Sequence, residues 1–131
     1  MRRIMFLVMI ALLAACASQP EPEREAVQDF VAVRNLTELD QIRTDTSDSW
    51  QEVNEYYLIY KTRRAKYLVE FVRACWELQE QRVVADKRWD ARTIRPRFDT
   101  LRGCRIGKIY SLTDADAIEL KELGETPGSR N

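Results

Sequence analysis

Arg63, Arg64 and Lys66, set between Tyr60 and Tyr67, have the widest chemical range in this 131-residue chain. Guanidinium and ammonium groups beside phenol rings can hold phosphate or carboxylate and stack on a planar group. A charged hairpin tip also serves simply to keep a sheet soluble. The three cations are therefore read as contacts for an anionic partner, against the plainer reading of a solvated tip. Asp86, Asp90 and Asp99 are the second set. A glycoside-hydrolysing pair needs two carboxyls held about 5–9.5 Å apart. The plainer expectation is that these acids pair with Arg88, Arg92, Arg97 or Arg102, or meet water, as surface charges ordinarily do. Trp50, Trp76 and Trp89 could line a sugar-binding surface. Trp76 adjoins Cys75 and is expected to pack in the core or on a disulfide, which leaves Trp89, alone among charges, as the exposed one.

Other chemistries are excluded by composition. The chain has no histidine, which removes histidine acid–base catalysis, Ser-His-Asp triads and most zinc or iron sites. Ser47, Ser49 and Ser111 have no Gly-x-Ser-x-Gly elbow around them. No catalytic, cofactor-binding or metal-binding residue is assigned, and the expectation is a protein that is not an enzyme and uses no cofactor.

Charge balances overall at 21 basic and 21 acidic residues. It is uneven along the chain. Residues 17–60 hold 3 basic and 10 acidic side chains, residues 61–108 hold 14 and 6, and residues 109–131 hold 2 and 5. A basic middle between acidic ends either folds against them or offers a face to an anionic partner such as phosphate head groups or acidic glycan.

The elements that must position these residues begin with the cysteines. Cys75 and Cys104 form an even pair downstream of Cys16. In an exported chain such a pair reads as one disulfide. It closes a loop of about 30 residues, worth roughly 3–4 kcal/mol in the chain-entropy model.

Export itself is argued from the first sixteen residues. Arg2 and Arg3 precede the apolar run 4–15, and Leu13-Ala14-Ala15-Cys16 ends it. The run is shorter than the roughly 20 residues a membrane helix needs, so it reads as a removable signal. The order Leu-Ala-Ala-Cys resembles a bacterial lipoprotein signal, which implies lipidation of Cys16 and cleavage before it. An ordinary secretory cut at Ala15-Cys16-Ala17 fits the small residues too, but does not account for that order. Two or three acyl chains anchor stably where one does not. Ala17, where inner-membrane lipoproteins tend to carry aspartate, resembles the outer-membrane class. The expected organisation is a signal at 1–15, a lipidated cysteine and tether at 16–23 containing Pro20 and Pro22, and a single α+β domain at 24–131.

Within that domain, Ala26, Val27, Phe30 and Val31 make one helical stripe over residues 24–32. Leu36, Leu39 and Ile42 recur every third residue and fit helix or strand. Tyr56-Tyr57-Leu58-Ile59-Tyr60 and Tyr67-Leu68-Val69-Glu70-Phe71 are rich in strand formers. With Arg63-Arg64-Ala65-Lys66 between them they predict an antiparallel hairpin, central in its sheet because both faces are apolar. Residues 82–97 read as irregular, and 97–101 and 105–112 as two further strands joined at Gly103 and Cys104. Thr113 and Asp116 make a near capping box for a last helix. Its core stripe is expected from Ala117, Ile118, Leu120 and Leu123, with Gly124 and Pro127 as stop signals. The fold class is therefore α+β: a small antiparallel sheet with a central hairpin, a short N-terminal helix, a packed C-terminal helix and one disulfide.

The stretch Arg97-Phe98-Asp99-Thr100-Leu101-Arg102-Gly103-Cys104-Arg105-Ile106-Gly107-Lys108-Ile109-Tyr110 resembles a family of small exported bacterial (lipo)proteins classed as a domain of unknown function. Tyr60-Lys61-Thr62-Arg63-Arg64, the Cys75 region and Leu120-Lys121-Glu122-Leu123-Gly124-Glu125 with Pro127-Gly128 are similar as well. The resemblance runs from about Phe30 to Gly128 and implies signal-bearing, often lipid-anchored proteins with paired cysteines. It brings no catalytic or ligand residues. Ala65 departs from it, since similar sequences carry glycine in that hairpin. The expected protein is a non-catalytic binding or structural module on the periplasmic face of the outer membrane. Its expected partners are the membrane, through its anchor, and an anionic envelope protein or polymer, but not nucleic acid. The alternative is a carboxylate-dependent enzyme acting on cell-wall glycan, which requires two acids converging in a concave pocket.

Overall fold

Tyr57–Lys61 (β4) and Lys66–Phe71 (β5) form the predicted hairpin, running antiparallel from Tyr57 opposite Glu70 to Lys61 opposite Lys66. These coordinates are a computed structural model describing residues 24–80 and 85–123. The turn between the two strands is built on Thr62. Its hydroxyl accepts the N–H groups of Arg64 (3.3 Å) and Ala65 (3.1 Å), and its own N–H donates to the Ala65 carbonyl at 2.9 Å. None of the four loop residues needs a left-handed backbone. Alanine therefore fits at position 65 where a glycine-dependent turn would reject it.

All strands of the main sheet pair antiparallel, in the order Glu38–Leu39 (β1), Cys104–Leu112 (β8), β5, β4 and Ser49–Asn54 (β3). Thr100–Leu101 (β7) pairs with the start of β8. Ile42–Arg43 (β2) and Thr93–Ile94 (β6) form a separate two-stranded piece. The every-third-residue pattern at Leu36, Leu39 and Ile42 thus resolves into short strand segments. The β7–β8 connection is a two-residue turn with Arg102 at φ 54° and Gly103 at φ 84°, the geometry that matches strand twist in tight hairpins. Only glycine adopts it without steric cost, and here Gly103 does so at the second place.

The hairpin is covered on both faces. Leu58, Tyr60, Val69 and Phe71 meet Ile42, Ile94, Leu101, Ile106, Ile109 and the Cys75–Cys104 bridge on one side. Tyr57, Ile59 and Leu68 meet the two helices on the other, with Tyr110 and Leu112. Full burial of an apolar side chain is worth roughly 1.5–3 kcal/mol, and β4 buries Tyr57, Leu58, Ile59 and Tyr60 in succession. That is why a run apolar on both faces sits at the centre of the sheet.

Helix Arg24–Val33 (α1) places Val27 and Phe30 against the sheet. It ends in a Schellman arrangement: Asn35 is left-handed at φ 50°, Leu36 N–H donates to the Val31 carbonyl and Asn35 N–H to the Ala32 carbonyl, both at 3.1 Å. Helix Asp114–Glu122 (α2) begins at Thr113 with the full capping box, Asp116 N–H to Thr113 Oγ1 at 3.1 Å and Thr113 N–H to Asp116 Oδ2 at 3.0 Å. Arg34 and Glu119 form an ion pair between the helices.

The expected core stripe of α2 needs correction. Ala117 and Leu120 are buried, but Ile118 and Leu123 are 56% and 41% exposed. With 3.6 residues per turn, position 118 is rotated about 100° from 117 and leaves the packed face. The stop signals at Gly124 and Pro127, the signal at 1–15, Cys16 and the 17–23 tether lie outside the described residues. Among the described residues, no helix is long and apolar enough to cross a membrane.

The disulfide is present. Cys75 and Cys104 are joined with their Cα atoms 5.8 Å apart, and both are buried. The bridge ties the start of β8 to the segment that follows β5. It is followed by a short 3₁₀ turn, Trp76–Gln79, from which Leu78 packs inward. Trp76 does not pack on the bridge as expected. Neighbouring positions of the turn point different ways, and with Leu78 inside, the Trp76 side chain is 61% exposed.

Candidate functional site

Two surface regions gather the residues singled out in the sequence. The first is the tip of the β4–β5 hairpin. Here Arg63 and Arg64 are exposed, and with Arg43, Thr62 and Tyr67 they line a cleft of about 370 Å³. Thr44, Asp45 and Thr46 of the 44–48 loop complete its lining. Asp45 Oδ2 accepts the Arg63 N–H at 2.9 Å, while Oδ1 accepts the Ser47 N–H (2.9 Å) and hydroxyl (2.8 Å). These bonds, the one from Arg63 first, hold the Asp45 carboxyl well below the ordinary carboxylate range. Asp48 moves the other way. Partial burial and then the neighbouring Asp45 raise its carboxyl, which accepts the Tyr60 hydroxyl. Tyr60 therefore serves the loop rather than any ligand: its ring is buried in the core and its oxygen is committed to Asp48.

The three basic candidates do not form one set. Lys66 Nζ is 2.9 Å from Asp114 Oδ1 at the start of α2, so its charge is locally balanced. Arg63 and Arg64 project at the tip, and Arg43, which the sequence reading did not single out, joins them. The segment that follows it is fastened to the tip by the Asp45–Arg63 bond and by Ser49 opposite Lys61, contacts that no local pattern announces.

The second region is the loop system of residues 85–103. Asp99 is 1% exposed and accepts backbone N–H groups from Arg95 at 2.6 Å and Trp89 at 3.2 Å. The expectation that Asp99 pairs with arginine or meets water is therefore corrected. Main-chain donors turned inward from these part-buried loops need an acceptor, and its carboxylate supplies one. Asp86 acts similarly, accepting the Gly103 N–H at 2.9 Å, with Arg88 at 3.7 Å from its other oxygen. Asp90 accepts the Arg92 N–H at 3.0 Å; this bond first, then the Thr93 hydroxyl, lowers its pKa. Asp86 and Asp99 do line one cleft, of about 480 Å³. Both are already engaged in holding backbone, a poor starting point for moving protons.

The same frame lifts aromatic rings into water. Trp89 is 86% and Phe98 75% exposed. The Arg95 guanidinium lies between them, 6.0 Å from the Trp89 ring centre and 5.5 Å from that of Phe98. Pro96 starts the turn and Arg97 is held in the left-handed region at φ 72°, its N–H bonded to the Ile106 carbonyl at 2.8 Å. Exposure of Trp89 was expected; the part of Phe98 was not, because a single aromatic beside a buried acid gives no periodic signal. Trp50 lies apart from this pair, stacked by Arg102 at 5.0 Å.

Cys75, Glu77 and Cys104 are the group of described residues with metal-ligand spacing. Glu77 Oε2 approaches Cys104 Sγ to 3.0 Å, but both sulfurs are joined to each other. A disulfide sulfur is not the thiolate that a metal site requires.

The model of a family of unknown function, DUF6491, matches residues 1–126, and the chain belongs to that family. No curated protein and no solved structure matches it.

Proposed function

We propose that this DUF6491 member is a binding module of the bacterial cell envelope that uses the β4–β5 tip to hold an anionic protein or polymer. Acyl chains on Cys16 tether it to the periplasmic face of the outer membrane. The observation that carries this reading is the hairpin tip. There Arg43, Arg63 and Arg64 surround an open cleft while the nearest carboxylate, Asp45, is committed to the backbone of the same turn. Arginine forks suit carboxylate and phosphate, and exposed cations attract such groups over about a Debye length, 8–10 Å at ordinary salt. The anchor is supported by the Leu13-Ala14-Ala15-Cys16 order within the family match. The absence of histidine and the structural engagement of Asp86 and Asp99 favour binding over catalysis.

The test is capture of envelope components by the wild-type chain at rising salt. Capture should fall steeply between about 50 and 300 mM salt, as expected for screened surface charge, and R63A/R64A should capture little at any salt. Capture that ignores salt, or survives in R63A/R64A, contradicts the reading. Mass spectrometry of Cys16 from the native envelope separately decides the anchor, and an unmodified thiol removes it.

A further inference from the structure

We infer that the Trp89–Arg95–Phe98 knob is a membrane-contact element that seats its two rings at the headgroup–acyl boundary of an anionic bilayer. This rests on the envelope reading above for its setting, but on different residues. Three observations lead to it. The first is protrusion: Trp89 and Phe98 are the most exposed aromatic rings among the described residues, at 86% and 75%. Both rings border the shallow cleft that Asp86 and Asp99 also line, yet most of each ring faces water rather than a neighbouring side chain. The second is rigidity. The backbone under both rings is fastened by one buried carboxylate, Asp99, through the N–H groups of Trp89 and Arg95. An apolar ring held out in water by a fixed frame, rather than folded back onto the surface, is poised for a contact made elsewhere.

The third is charge. Arg95 sits between the rings, and Lys87, Arg92 and Arg97 are exposed on the same loops. Of the acids there, Asp86 and Asp99 are turned to backbone donors, which leaves Asp90 as the exposed one. Aromatic rings flanked by guanidinium groups match the interface of an anionic bilayer, where indole and phenyl groups settle at headgroup depth and basic side chains meet phosphate. An acidic glycan would satisfy the cations but offers no apolar layer for two rings that stand 86% and 75% exposed. The bilayer satisfies both.

The experiment uses the full chain with Trp50 and Trp76 replaced by Phe, so that Trp89 is the only tryptophan, reconstituted into vesicles. Vesicles of phosphatidylcholine with one-quarter phosphatidylglycerol carry bromine on the acyl chains of either lipid. The expected result is that Trp89 emission shifts to the blue and is quenched at least twofold by brominated chains. Pure phosphatidylcholine should lessen the effect, and Phe98→Ala should reduce it by half or more. A Phe98→Trp variant on a Trp89→Phe background should show the same quenching from the other ring, which guards against a local loss of fold. Emission that stays at the position of water-exposed indole and ignores bromine overturns the inference. So does a blue shift produced by a soluble acidic polysaccharide without vesicles. Quenching that persists in R63A/R64A supports it even if capture of an anionic partner fails. Loss of quenching with capture intact overturns it and leaves the hairpin-tip reading standing.

Discussion

At the hairpin tip the backbone is set by a threonine hydroxyl and by the exposed carboxylate of Asp45. In the 85–103 loops it is set by Asp99, almost fully buried, together with Asp86 and the neighbouring disulfide. Both regions display arginine. The tip shows it around an open cleft, with every organising bond close to water. The loop system shows it between two aromatic rings, above part-buried organising bonds, two of which share the almost fully buried Asp99 acceptor. A hydrogen bond in water exchanges for another at little cost, whereas an acceptor removed from a buried turn leaves stranded donors. The two regions should therefore differ in how far their surfaces can be altered without loss of fold. The tip is a site of charge, and the loop system is a site of shape.

The largest effect should come from the disulfide under the loop system. Replacing Cys75 and Cys104 together by Ala should lower unfolding free energy by about 3–4 kcal/mol, given the 29-residue separation. Chemical denaturation measures this, and hydrogen exchange should show the 85–103 amides losing protection before those of the hairpin tip. A double variant as stable as the wild type would mean that the loops are held by something else.

Next is Asp99→Ala, which strands the N–H groups of Arg95 and Trp89 and should cost about 2–3 kcal/mol. Asp45→Ala at the tip should cost much less, because its donors turn to solvent. Equal losses would erase the distinction between the regions.

Smaller again is a pair of opposite pH effects within the tip. The Asp45 carboxyl is held below its ordinary value. Its contribution is therefore present above about pH 4, where the unfolded chain ionises, and fades as pH falls through the lowered value. The Asp48 carboxyl is raised, so the fold binds its proton more tightly than the unfolded chain does. Its ionisation thus costs stability as pH rises past the ordinary range. Asp45→Asn should destabilise at neutral pH and Asp48→Asn should stabilise, with both differences shrinking in acid. Thermal melts from pH 3 to 7 check the signs, and shifts of the same sign would mean that the loop is wired differently.

The smallest effect should be Lys66→Met. Its partner Asp114 is 85% exposed at the side chain, so breaking the pair should change stability by less than about 1 kcal/mol by denaturation. A larger loss would place Lys66 in the fold's foundations rather than on its surface.

The parts of this architecture that were legible in advance are those written in local pattern. Tyr56 to Phe71 announces a two-faced hairpin, Thr113 and Asp116 announce a helix start, and two downstream cysteines announce one bridge. What was hidden depends on contacts distant in sequence. Strand β3 carries Ser49, Gln51 and Glu52, a polar edge with little strand signature until β4 is laid beside it. Asp99 reads as one more surface acid until the turn around it leaves two N–H groups needing an acceptor. Arg43 joins the tip where Asp45 accepts the Arg63 N–H and Ser49 pairs with Lys61, contacts about 12 to 18 residues apart in the chain. Ile118 looked like core because an apolar residue beside a buried alanine suits a stripe one position too wide.

The contrast between the two regions is tested most directly by a photo-crosslinking residue placed at position 64, position 89 or position 122 in cells that make the full chain. Position 122 lies near the end of α2, is exposed and lines neither cleft. The expected result is that position 64 captures an anionic protein or polymer in a salt-sensitive manner, position 89 captures phospholipid, and position 122 captures neither. Identical products at 64 and 89, or at both no more than at 122, would contradict a division of labour between a charged tip and an aromatic loop.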